Sequence, residues 1–129
     1  MMRFALCALC AVVCQVAFAQ EGGKTLVNEL IGHWETSKSL SLAVAAAMPD
    51  DSYSFKATAT KNLTTAYDYC IDGLKEMTDS DLQKTVKRGG AEVSKFELFW
   101  GGFTHSAHHR GQAEVYLRLK GVTPPSYKF

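Results

Sequence analysis

The chain has 129 residues, with 14 Lys+Arg against 13 Asp+Glu and a formal net charge of +1. A balance so near neutral gives no basis for a nucleic-acid ligand or an anionic membrane surface as partner. The length fits one small domain with a modest core, which an oligomer would help to bury.

The first residues have the layout of a secretory signal peptide. Met1-Met2-Arg3 is a short basic start, and Phe4 to Phe18 is apolar except for Gln15. Ala17-Phe18-Ala19 places small residues around a cleavage point before Gln20. The run is short for a membrane span. Residues 1–19 are therefore expected to leave on export, periplasmic or secreted, with no stable membrane span afterwards. An uncleaved anchor, or a lipid on Cys10 or Cys14, is the alternative. Cleavage removes Cys7, Cys10 and Cys14, so Cys70 has no intramolecular partner. It reads as a small apolar residue rather than a nucleophile.

From Lys24 to Ala47, Val27, Leu30, Ile31 and Trp34 keep helical spacing and predict a first helix, which ends before Pro49. Ser52 to Ala59 reads as extended or loop, with Tyr53 and Phe55 anchoring it over the core. Leu63, Ala66, Tyr67, Cys70, Ile71, Leu74 and Met77 recur at three and four residues and predict a second helix over about 62–77. Thr78 to Asp81 reads as a turn with several possible caps. The polar stretch Gln83 to Val93, with Gly89-Gly90, reads as an irregular connection. Ser94 and Glu97 form a capping box for a long third helix that reaches Lys120. Gly121 follows as its stop, and Pro124-Pro125 prevent continuation. The class read from these elements is all-α.

The third helix carries the chemistry. His105 and His109 are four residues apart and share a face, a divalent-metal clamp by spacing, with Gln112 one turn further on. Gln112 either orients a ligand or makes a plain interhelical hydrogen bond. His108 lies roughly 60° off that stripe, as a rim residue or substitute ligand. His33 reads as a partly exposed histidine beside Trp34. Arg110 reads as structural, pairing with an acidic group across the bundle. Arg118 suits the negative end of the helix dipole.

The run from His105 through Ser106, Ala107, His108, His109, Arg110, Gly111 and Gln112 to Gly121, followed by Pro124-Pro125 and Tyr127, resembles the last helix of DinB-like proteins. This superfamily includes YfiT-like proteins and bacillithiol- and mycothiol-dependent enzymes. Leu30 to Lys38, then Ala47 to Lys56, resemble its first helix and following loop. The resemblance implies a four-helix up-down bundle, usually a homodimer. It also implies a zinc or nickel ion held by three histidines, one from the second helix and two from the last. His105 and His109 match the latter two. Water, a thiol or another ligand would take the open positions.

This chain departs from that pattern. Phe55 to Thr60 pass almost directly into Lys61 to Cys70, a run similar to the family's third helix, and no histidine occurs between His33 and His105. The expected fold is thus a DinB-like bundle reduced to about three helices, truncated or completed by dimerisation. Its domain covers residues 20–129 and is shortened between about residues 56 and 62. The first functional expectation is a divalent-metal-dependent enzyme of hydrolase or thiol-transferase type, acting on a small-molecule or thiol substrate with an incomplete histidine site. The alternatives are a non-catalytic binding or dimerisation module, and an inactive, degenerate family member.

Overall fold

The computed structural model describes residues 25–51 and 53–128; the expected signal segment, residues 1–19, lies outside them. Three long helices dominate: α1 (Leu26–Ala47), α2 (Lys56–Lys75) and α4 (Lys95–Leu119). Between α2 and α4 lie a one-turn helix α3 (Asp79–Leu82) and a hairpin of β1 (Thr85–Arg88) and β2 (Ala91–Ser94). The helical class expected from the sequence stands. No helix among the described residues is long and apolar enough to cross a membrane.

Local chemistry explains most boundaries. Thr25 caps α1, its Oγ1 accepting the Asn28 N–H at 3.2 Å. Asp79 adds a second cap from α3: its carboxylate oxygens accept the Leu26 and Val27 N–H groups at 3.0 and 2.9 Å. Thr78 and Asp81 form a capping box on α3, and Ser94 and Glu97 form the expected one on α4. Gly121, at φ +73°, ends α4 in the left-handed conformation that glycine adopts without steric cost.

Three expectations are corrected. Residues 83–93 are not an irregular connection, because β1 and β2 pair antiparallel with Val86 opposite Val93. Gly89 and Gly90, at φ +58° and +87°, make the two-residue turn that such a hairpin requires. Lys56 to Ala59 are not extended but form the first turn of α2, which starts six residues earlier than its apolar repeat suggests. The Lys56 and Ala59 N–H groups bond to Tyr53 and Phe55 carbonyls, so the loop winds directly into helix. Thr64 and Thr65 are accommodated there because their hydroxyls donate to the Thr60 and Lys61 carbonyls one turn back. Phe55 is 69% exposed and does not cover the core; Tyr53 is half-buried.

The helices run up, down and up. α2 is antiparallel to α1, with Lys38 paired to Asp68 and the end of α2 leading to Asp79 at the α1 N-terminus. α4 runs parallel to α1, with Trp34 against Phe99 and Gly102, and Ser37 reached by Arg110. The core of Val27, Leu30, Trp34, Tyr67, Ile71, Leu74 and Leu82 lies toward the end closed by α3 and the hairpin, with Phe96, Phe99 and Phe103 packed on it. α1 packs along both α2 and α4, whereas α2 and α4 scarcely touch. That leaves a groove between them.

Candidate metal half-site and the groove beside it

The groove encloses about 670 Å³ and is lined by α1, the Tyr53 loop, α2 and α4. His105 and His109 stand in its α4 wall. Both are exposed, and their rings meet edge to face with centroids 4.4 Å apart. Their Nε2 atoms are 3.1 Å apart. Two imidazole nitrogens on one ion, each about 2.0–2.1 Å from it at octahedral or tetrahedral angles, are ~2.8–3.4 Å apart. The helix thus presents both nitrogens at a separation one divalent ion can span.

Gln112 fixes the outer ring. Its Oε1 lies 2.8 Å from His109 Nδ1, and its Nε2 lies 3.1 Å from His108 Nε2. An amide oxygen only accepts, so His109 carries its proton on Nδ1 and keeps a lone pair on Nε2. That lone pair accepts from His105 Nε2–H. To ligate an ion, His105 need only move its proton to Nδ1. A partner on the distal nitrogen is the usual support for a ligating histidine. Gln112 is therefore an orienting residue, and His108 sits at the rim as that amide's acceptor.

Other expected residues are placed elsewhere. His33 is exposed on α1 against Phe103 and Trp100, with centroids at 5.6 and 6.4 Å, and is not a wall of the groove. Cys70 is half-buried in the groove wall, where burial pushes its thiol pKa up and keeps it protonated. Arg118 Nη2 lies 3.8 Å from Glu114 on its own helix. Among the described residues no group of three or more His, Cys, Asp and Glu is placed to hold a metal ion. The α4 pair supplies two nitrogens and no third donor of these types.

The floor of the groove holds a polar network that the sequence reading missed. Arg110 is 7% exposed, and its Nη1 donates to Ser37 Oγ at 3.0 Å. Its cross-bundle partner is thus a serine; the acid near it, Glu114, is on α4 itself, 4.0 Å away. Tyr67 Oη lies 3.0 Å from Ser37 Oγ and 2.8 Å from Ser41 Oγ. A guanidinium can only donate, so Ser37 accepts from Arg110; the Ser37–Tyr67 and Tyr67–Ser41 hydroxyl pairs can each run in either direction, because a hydroxyl accepts twice and donates once. The available signal was a pair of serines, Ser37 and Ser41, set in the apolar stripe of Leu30, Trp34 and Val44. Trp34 Nε1 is also buried, without a hydrogen-bond partner among the described residues.

No curated protein and no solved structure matches the chain. The model of the DinB family matches residues 68–129, which take in the end of α2, the hairpin and all of α4 with its histidines. This match, the helical fold and the i, i+4 histidine pair on the last helix are consistent with a member of the DinB-like superfamily.

Proposed function

We propose that this DinB-like protein is a divalent-metal protein whose site is completed from outside the described chain. His105 and His109 would hold zinc or nickel, and a partner copy in a homodimer would supply the remaining ligand. The observation that carries this reading is the 3.1 Å separation of the two Nε2 atoms, with Gln112 holding the His109 ring from behind. The donor set fits an ion in kind but not in number, since catalytic zinc normally keeps three protein ligands. A bound divalent ion would supply Lewis acidity, making water or a thiol nucleophilic near neutral pH. The chain's own contribution is to orient the imidazoles and to hold a small-molecule or thiol substrate in the groove, partly shielded from water. Hydrolysis and thiol transfer are the two reaction classes this suits. Export through residues 1–19 belongs to the same reading and favours hydrolysis, because it separates the protein from most cytosolic thiol cofactor. The shortened segment near residues 56–62 is the proposed reason that a third histidine is lacking.

A second reading has its own support. Trp100, Val115, Tyr116 and Leu119 on α4 are 43–76% exposed, a large apolar surface for one helix and one that suits a binding or dimerisation module. Cobalt(II) titration separates the two. Ligand-field bands of a four- or five-coordinate ion, lost in His105→Ala and His109→Ala, support the metal protein. Absence of binding in the wild-type chain leaves the binding module.

A further inference from the structure

The groove combines apolar walls with an undercompensated cation. Trp34, Val44, Leu63 and Tyr116 are among its walls, Arg110 lies on its floor, and among the described residues no carboxylate lines it. Glu114, 4.0 Å from Arg110 Nε, is also 3.8 Å from Arg118, so one carboxylate faces two guanidiniums. Arg110 has five N–H donors but makes one hydrogen bond among the described residues, to Ser37. The Tyr127 ring, which is not a groove wall, lies 5.6 Å from the guanidinium carbon. At the other end of the hydroxyl chain, Ser41 lines the groove 2.8 Å from Tyr67 Oη, and with Tyr67 as donor of that pair its own O–H is left to donate to a bound anion. A buried guanidinium short of acceptors favours an anion, and its planar fork matches a carboxylate. The apolar walls favour an anion with a hydrocarbon or aromatic body.

We propose that the groove binds a small amphipathic monocarboxylate, its carboxylate held by Arg110 and the Ser41 hydroxyl and its apolar body lying between α2 and α4. This names a ligand class for the groove of the function proposed above and takes its geometry from that reading, but it does not require the metal.

The test is calorimetry on the full chain in excess EDTA, with octanoate, octan-1-ol and inorganic phosphate as probes. Octanoate should bind at least about tenfold more tightly than octanol, as expected for a charge-assisted bond, and phosphate should not compete. Arg110→Lys should weaken octanoate about tenfold and leave octanol unchanged. Ser41→Ala, which removes one hydroxyl without disturbing the arginine, should weaken octanoate about threefold. Equal binding of octanoate and octanol overturns the proposal. So does octanoate binding that neither variant alters, or a dimer by light scattering whose groove octanoate does not enter. Because EDTA removes any ion, failure here leaves the metal reading standing, and failure of the cobalt titration leaves the carboxylate site standing.

Discussion

At the end of the bundle closed by α3 and the hairpin, Leu30, Leu74 and Leu82 are at most 2% exposed. Asp79 there ties α3 to the first turn of α1, and two capping boxes define the starts of α3 and α4. At the other end α2 and α4 part, and the histidines are exposed beside a groove of about 670 Å³. Its one tightly buried charge, Arg110, is tied to α1 through a serine. The contrast separates two tasks. Packing and caps at the closed end join three helices, while Leu40, Val44 and Leu117 are buried toward the open end as well. The groove's polar groups and space therefore sit beside a packed base rather than within the core cluster.

The sharpest way to break this comparison is truncation at both ends. Leu74→Ala, fully buried at the closed end, should cost about 2–5 kcal/mol in urea unfolding. Leu63→Ala, half-buried in the groove wall, should cost only about 1 kcal/mol, because it leaves a wider groove rather than a sealed cavity. Similar losses for the two would mean that the ends are not energetically distinct. Next in size, Gln112→Ala should weaken metal binding about 10–100-fold in competition with a chelator. Its urea midpoint should stay put, since the residue is exposed. Gly102 marks the crossing between the two regions. A Cβ there would lie 3.3 Å from Trp34 Cη2 and Cζ2. Gly102→Ala should cost about 1 kcal/mol, as the indole shifts within a packed site, with a matching change in tryptophan fluorescence.

The smallest effect concerns acid. Lys84 and Thr78 hydrogen bonds hold the Asp81 carboxyl well below its usual range, and Ser94 backbone and hydroxyl bonds lower Glu97. A carboxylate whose pKa is depressed by folding contributes stability that is present above its unfolded value of about 4 and fades as pH falls through the folded value. Both groups are on the surface, so the contribution is modest. Asp81→Asn should lower the thermal midpoint slightly at pH 7, where the carboxylate contributes, and flatten its pH dependence below about pH 4, so that variant and wild type converge in acid.

Legibility followed the range of the interactions. Ser94, Glu97 and Gly121 act within a few residues of themselves, and they mark the two ends of α4 in sequence as in space. The histidine pair was equally plain, because four residues on a helix fix which way two rings point. The start of α2 was hidden because Phe55 offers no side-chain cap and the first turn carries threonines, whose preference for helix is weak. The hairpin was missed although Gly89-Gly90 marks its turn, because two four-residue strands with one valine each carry little apolar signal. The floor of the groove lay beyond sequence reasoning, since Ser37 and Arg110 are 73 residues apart.

The central claim is that α4 holds one half of a metal site. The most direct measurement is elemental analysis coupled to size-exclusion light scattering on the purified chain, alongside His105→Ala and His109→Ala. This account predicts stoichiometric zinc or nickel in a defined dimer, and loss of the metal in either variant with helical content unchanged. A metal-free wild-type chain, or metal that survives both substitutions, would contradict it.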